Sequence, residues 1–232
     1  MTRTPAWIEG LPRQQLIAEY SMWSANLLAL GDDLKRIDAS ADVLHIDVAD
    51  GHFAPALLFF PDLMAAMKAV TRIPLHVHLM VADGQVVQQA EQFAEAGADL
   101  ISVHVENGAA GHAAIDAIRA RGIAAGVVLK VDTPVETVKP FLAEVAFVTL
   151  LGTAIGVKGQ GLNEHATARL ELAQKLIADS RQSRRIVLAA DGGIREQTVP
   201  LLRAAGAETV VLGSLAFGAP DLARCMVWLK GL

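Results

Sequence analysis

The chain has 232 residues, 20 Lys+Arg against 25 Asp+Glu for a formal charge of −5, and a hydrophobic fraction of 53%. That content fills one large core and excludes a disordered or fibrous chain, and a charged fraction of 19% excludes a polybasic surface for nucleic acid or lipid headgroups. A single cysteine, Cys225, excludes an internal disulfide framework and fits a reducing, cytoplasmic setting. In chain order, short β-branched apolar runs begin near Tyr20, Val43, Pro74, Leu100, Ala124, Phe147, Arg185 and Thr209. They lie roughly 23 to 38 residues apart, room for a strand, a crossover helix and two short loops. Residues 1–18 stand outside this rhythm and are expected to form an N-terminal extension whose helix plugs the bottom of a barrel or packs beside it.

Between the strands the periodicity is helical: Val86, Ala90, Phe93 and Ala94 share one face. Gly97, Gly122 and Gly206 stand where helices end. Three segments echo one another, Ala39-Ser40-Ala41-Asp42-Val43, Ala96-Gly97-Ala98-Asp99-Leu100 and Ala205-Gly206-Ala207-Glu208-Thr209. Each closes a helix and opens a strand, so the chain reads as repeated units. Eight such units over residues 19–232 predict one α/β domain, a (β/α)8 TIM barrel with eight following helices; a doubly wound open sheet is the alternative.

In a barrel, chemistry gathers at the C-terminal ends of strands. Five of the seven histidines (His45, His52, His76, His78, His104) fall on or just after the second, third and fourth strands. Side chains alternate along a strand, so His45 and Asp47 share one side, as do His76 and His78. The seventh strand ends in Asp191-Gly192-Gly193. Imidazoles and carboxylates together at strand ends form a ligand set for one divalent ion, and mixed N/O donors suit Zn²⁺, Mn²⁺, Fe²⁺ or Co²⁺ better than Ca²⁺. The other reading of each histidine is a hydrogen-bonded core residue. Gly156-Val157-Lys158-Gly159-Gln160, Gly192-Gly193 and Gly213-Ser214 offer bare backbone N–H groups for an anion, and barrels commonly hold phosphate at the loops after strands seven and eight.

Ser21-Met22-Trp23-Ser24-Ala25, His45 to Pro55, Val77-His78-Leu79-Met80-Val81, Gly156 to Gln160, Asp191-Gly192-Gly193 and Gly213-Ser214 resemble the ribulose-phosphate 3-epimerase family from about Tyr20 onward. The resemblance implies metal ligands at His45, Asp47, His78 and Asp191. It implies Asp47 and Asp191 as proton acceptor and donor, and sugar contacts from Ser21 and His78. The glycine loops (Gly156, Val157, Lys158, Gly159, Gly192, Gly193, Gly213 and Ser214) would hold the phosphate. The implied reaction is 3-epimerisation of a ketose phosphate, D-ribulose 5-phosphate/D-xylulose 5-phosphate or a relative, through an enediolate stabilised by a Lewis-acid metal. Acids on opposite faces allow inversion, whereas a single base returns the proton to the face it left.

The chain departs from the usual pattern at several positions. Ala49 and Leu151 stand for Met, Ala56 for Asn, His76 for Asp, Lys130 for Asn, and the strand-six segment reads Leu151 to Gln160. Ligands and acids are kept while the pocket wall changes, and Ala49 is expected to leave volume there. A barrel decarboxylase would carry an Asp-x-Lys-x-x-Asp arrangement, but Asp47-Val48-Ala49-Asp50 contains no Lys. A non-catalytic sugar-phosphate-binding protein would need no second acid. The longest nearly apolar stretch, Val145–Val157, spans about 13 residues against the roughly 20 of a membrane helix, and no secretory h-region is read at the N-terminus. The expected partner is therefore a small phosphorylated ketose, without nucleic acid or membrane, in the cytoplasm; a homo-oligomer is left open.

Overall fold

The computed structural model describes residues 5–232; residues 1–4 of the expected extension lie outside it. Eight strands close a barrel in sequence order: β1 (Ile17–Ser21), β2 (Val43–Ala49), β3 (Leu75–Met80), β4 (Leu100–His104), β5 (Ala124–Leu129), β6 (Phe147–Leu151), β7 (Val187–Asp191) and β8 (Thr209–Leu212). Every neighbouring pair is parallel, β8 returning to β1. The helices are α1 (Ala6–Glu9), α2 (Leu30–Ile37), α3 (Pro61–Val70), α4 (Asp83–Glu95), α5 (Gly108–Ala120), α6 (Ala166–Asp179), α7 (Val199–Ala204), α8 (Ser214–Phe217) and α9 (Leu222–Lys230). The closed barrel is the predicted fold rather than the open sheet.

Two details correct the sequence reading. Strand β1 starts at Ile17, so Ile17 and Ala18 belong to the barrel and pair with Thr209 and Val210; the charge at Glu19 reads as a boundary but is a buried strand residue. The β5–β6 connection is a 3-10 helix, Val135–Phe141, where an α-helix was expected. Pro140 lies within it and lacks the N–H that an α-helical turn requires.

The repeated turn has a physical cause. Asp42 gives its N–H to the Ala18 carbonyl (2.9 Å) and takes the Ala18 N–H on its carboxylate (2.8 Å). Asp99 does the same to Leu75 (3.0 and 2.8 Å), and Glu208 to Leu188 (2.8 and 3.3 Å). In each repeat the acid satisfies both backbone groups of one residue at the entry of the neighbouring strand, one step before the ladder between the two strands begins.

Alternation along the strands sorts the barrel interior into layers. The floor is apolar: Ile17, Val43, Leu100, Ala124, Phe147 and Val187 pack with Ile8 and Leu11, so the N-terminal extension plugs the bottom. Arg185 ties it down, donating to the carbonyls of Leu11 (2.8 Å) and Pro12 (2.7 Å) and to Glu208 (2.7 Å). Above lies a fully buried polar layer with Glu19, His45, His76, Ser102 and Thr209. Gly126 makes it fit, since a Cβ there would overlap Ser102 Oγ and stand 3.1 Å from Phe147 Cβ. The top layer presents Ser21, Asp47, His78, His104 and Asp191. Outward-facing residues such as Leu44, Ile46, Val77 and Leu79 join the larger core shared with the helices.

Candidate active site

Strand register builds the site. Asp47 lies opposite His78, His45 opposite His76 and Ser21, and Asp191 opposite Leu151. One ligand atom from each of His45, Asp47, His78 and Asp191 falls within a 4.8 Å cluster. His45 Nε2 stands 3.3 Å from Asp47 Oδ1 and 3.9 Å from Asp191 Oδ2. His78 Nδ1 stands 3.5 and 3.8 Å from the same two oxygens. Both ring nitrogens are buried without a hydrogen-bond partner. Buried polar atoms are rarely left unpaired, because each costs about 1–3 kcal/mol. Two of them aimed at two carboxylate oxygens match the donor set of a divalent cation, and N₂O₂ chemistry suits a transition metal or zinc.

The other ring nitrogens are engaged. His45 Nδ1 lies 2.7 Å from Glu19 Oε1, and His76 Nδ1 lies 2.5 Å from the same oxygen. His78 Nε2 lies 2.9 Å from His104 Nε2, and His104 Nδ1 lies 2.9 Å from Glu106 Oε2. Glu106 Oε1 accepts from the Lys130 N–H at 2.9 Å and from the Thr133 hydroxyl. Ser21 Oγ donates to Asp47 Oδ2 at 2.7 Å.

Electrostatics separates the two acids. Burial by itself raises Asp47, but the imidazoles of His45 and His78 outweigh it and hold the carboxyl well below its usual range. Asp191 is pushed up by burial, and the negative charges of Asp47 and Glu19 add to this against His45 and His78. Burial opposes charge on His45, yet Asp47 and Glu19 on either side hold its pKa well above the ordinary value. The site therefore stabilises positive charge. Burial lowers His104 to about 4 despite its bond to Glu106, so it is a neutral link at pH 7. Burial works against ionisation of Glu106 too, but His104, Thr133 and the Lys130 amide hold it down to about 2.

A cavity of about 350 Å³ opens above the cluster, lined among others by Ser21, Asp47, His78, Gly156, Val157, Lys158, Gly159, Asp191, Gly192, Gly193, Gly213 and Ser214. These expected residues converge; His45 lies just beneath the lining. Ala49 does not line the cavity, and the volume expected there is closed by Ala54 and Met80 with Phe53 and Ile155. Lys130 is also outside, its Nζ 3.6 Å from the centre of the Phe53 ring. Lys158 does line the cavity, and its Nζ donates to the Trp23 carbonyl at 2.6 Å across the mouth. Sequence reasoning did not single out Ser24 and Arg195 of the lining, or the Glu19 and His104–Glu106 supports. The rule that joined His45 to Asp47, two residues apart on one strand face, also links Glu19 to Ser21.

A (β/α)8-barrel enzyme, with its candidate active site at the C-terminal face of the strands, is the class that fold and site define. Within it, the chain belongs to the ribulose-phosphate 3 epimerase family, whose profile matches residues 17–217. It is 34% identical over 212 residues to the ribulose-phosphate 3-epimerase of Bacillus subtilis (strain 168), covering 91% of this chain and 96% of that one. It is 32% identical over 226 residues to the chloroplastic ribulose-5-phosphate-3-epimerase of Arabidopsis thaliana, covering 96% and 79%. Among solved structures, orotidine 5'-monophosphate decarboxylase from Methanocaldococcus jannaschii superposes with a TM-score of 0.68 over 94% of this chain and 98% of that one, at 11% identity, a likeness of fold alone. The family makes the chain an isomerase, of the epimerase kind. No helix among the described residues is long and apolar enough to cross a membrane.

Proposed function

We propose that the chain catalyses metal-dependent 3-epimerisation of a ketose phosphate, D-ribulose 5-phosphate/D-xylulose 5-phosphate or a close relative, by two-acid proton transfer. The observation that carries this reading is geometric: Asp47 and Asp191 each bring an oxygen into one cluster within 4.8 Å at the cavity floor, and their surroundings push the two carboxyls in opposite directions, Asp47 down and Asp191 up. Paired acids whose environments drive their pKa values apart are the arrangement of a base and an acid. Asp47 takes the C3 proton, the C–H electrons pass into an enediolate, and Asp191 returns a proton to C3 from the other face. The proton ends on the opposite acid, so the pair must exchange with solvent or run in reverse before the next turnover, and its titration is a property of the pair. His45, Asp47, His78 and Asp191 are the residues that would hold a divalent ion, which would supply Lewis-acid stabilisation of negative charge developing on the substrate oxygens.

Ser21 holds Asp47 through its hydroxyl and, with His78, faces the sugar. The phosphate sits against the backbone N–H groups of Gly156 to Gly159, Gly192, Gly193, Gly213 and Ser214, with Lys158 and Arg195 supplying positive charge at the rim. Cys225 as a free thiol fits a cytoplasmic enzyme.

The test is a panel of pentulose, hexulose and tetrulose phosphates assayed with bound-metal analysis. Epimerisation of at least one, proportional to metal content, is the expected result. Release of CO₂, binding without turnover, or full activity in metal-stripped protein contradicts the proposal.

A further inference from the structure

Glu19 is fully buried, lies below the cavity and cannot touch a substrate. A carboxylate in such a place costs several kcal/mol unless it is paired and hydrogen-bonded. Its Oε1 faces two imidazoles, His45 Nδ1 at 2.7 Å and His76 Nδ1 at 2.5 Å, while Oε2 lies 3.4 Å from the Thr209 hydroxyl. An ionised carboxylate only accepts, so both imidazoles meet it through an Nδ1–H. His76 Nε2 is then a lone pair, and Ser102 Oγ at 2.7 Å donates to it. His45 Nε2 is in turn the nitrogen left for a cation, and like His78 Nδ1 it is buried without a hydrogen-bond partner. One assignment of protons thus pairs both ring nitrogens of His76 and Nδ1 of His45, and leaves His45 Nε2 to the cation.

We infer that Glu19 is a positioning residue for the metal centre: it fixes His45 in the orientation and Nδ1–H tautomer that offer Nε2 to a divalent ion, with His76 as its second donor. This rests on reading His45, Asp47, His78 and Asp191 as a metal site. It also explains His76, at a position where the family resemblance leads one to expect an acid. The acid comes from β1, and the β3 residue is a donor to it. Glu19 and Asp47 place negative charge on both sides of His45, and a divalent ion offsets both. Carboxylate partners of this kind typically change metal affinity 10- to 100-fold when removed.

The test uses the full chain with Zn²⁺ as the probe ion. Chelator competition gives the Zn²⁺ Kd of wild type and Glu19→Gln, and ¹⁵N–¹H spectra of the Zn²⁺-loaded proteins report which ring nitrogens carry protons. The wild type should show Nδ1–H on both His45 and His76. Glu19→Gln should bind Zn²⁺ about 10- to 100-fold more weakly. It should also move the Nδ1–H resonances of His45 and His76 upfield, because both protons lose an ionised acceptor and meet a neutral amide oxygen instead. A role in packing alone leaves both resonances in place. A wild type that does not bind Zn²⁺ overturns the metal-site reading and this proposal with it. A wild type that binds, with Glu19→Gln binding equally well, overturns this proposal alone. If Glu19→Gln does not fold, the wild-type spectrum decides: a His45 without an Nδ1 proton refutes the assignment.

Discussion

The two ends of the barrel are made from the same eight strands and behave oppositely. At the floor, Ile17, Val43, Leu100, Ala124, Phe147 and Val187 close over Ile8 and Leu11, and the buried Arg185 is matched by backbone carbonyls and Glu208. Four residues further along β1 and β2, the same pleat presents Ser21 and Asp47 at the cavity, where β3 adds His78 and Met80. There the matching stops: two imidazole nitrogens are left bare and two carboxylates stand together. Such a rim is costly to fold without a cation and useful only for chemistry. The floor is where stability resides, and the rim is where function resides.

Substitutions at the two ends should therefore separate activity from stability. The largest expected effect is at the rim: His78→Ala removes a proposed ligand and should lower metal affinity by more than about 100-fold, roughly 2.7 kcal/mol, with activity falling in parallel. Metal content measured after dialysis, beside kcat, checks it, and equal occupancy in wild type and variant would remove His78 from the ligand set. At the floor, Ile8→Ala should cost about 2–4 kcal/mol of stability through an unfilled cavity and lower Tm by roughly 5–15 °C. Its kcat at 25 °C should match wild type; a fall in kcat without a fall in Tm would mean that the plug communicates with the rim.

Smaller effects sharpen the line between the ends. Asp50 holds the loop after β2, accepting the N–H groups of Ala82 (2.7 Å), His52 (2.8 Å) and Phe53 (2.8 Å). Burial slightly opposes its charge, but these three donors keep its pKa below the usual value. The unfolded chain thus takes up the proton first as pH falls, so this stabilisation is present above the ordinary Asp pKa of about 4 and is lost as pH drops through the lowered folded value. Asp50→Asn should cost about 1 kcal/mol at pH 7, with its Tm converging on wild type below about pH 4; a pH-independent gap would assign the effect to packing. Smallest of all, Lys158→Ala should raise KM for the phosphorylated substrate a few-fold, under about 1 kcal/mol, with kcat nearly unchanged, because an exposed cation in water is strongly screened. A loss of kcat instead would place Lys158 in the chemistry.

The sequence made the strands, the closed order and the ligand strands legible, because β-branched runs and a repeated helix-to-strand turn are local signals. The repeated acid of that turn, Asp42, Asp99 and Glu208, was visible as a pattern but its partner residues were not, since each pairs with a backbone some 20 residues or more away in sequence. Glu19 was misplaced for a related reason: a charge in an apolar run reads as an edge unless the imidazoles that satisfy it, on two other strands, are known. The cavity wall was least legible. Ala49 implied a hole from side-chain volume alone, yet loop residues Phe53 and Ile155 pack into the same cluster. Arg195 sits on a loop and Ser24 at the end of a short 3-10 turn, Met22–Ser24, neither of which any periodicity predicts.

The central claim, two acids serving opposite faces of one enediolate, is tested most directly by proton exchange in D₂O with D-ribulose 5-phosphate. Wild type, Asp47→Asn and Asp191→Asn are each brought to a known metal content, and deuterium at C3 is followed beside formation of the epimer. Wild type should incorporate deuterium at C3 as it epimerises. Each Asn variant should lose epimerisation by at least about 1000-fold, with C3 exchange surviving in no more than one of them. Full epimerase activity in either variant, or epimer formed by wild type without deuterium at C3, would contradict it.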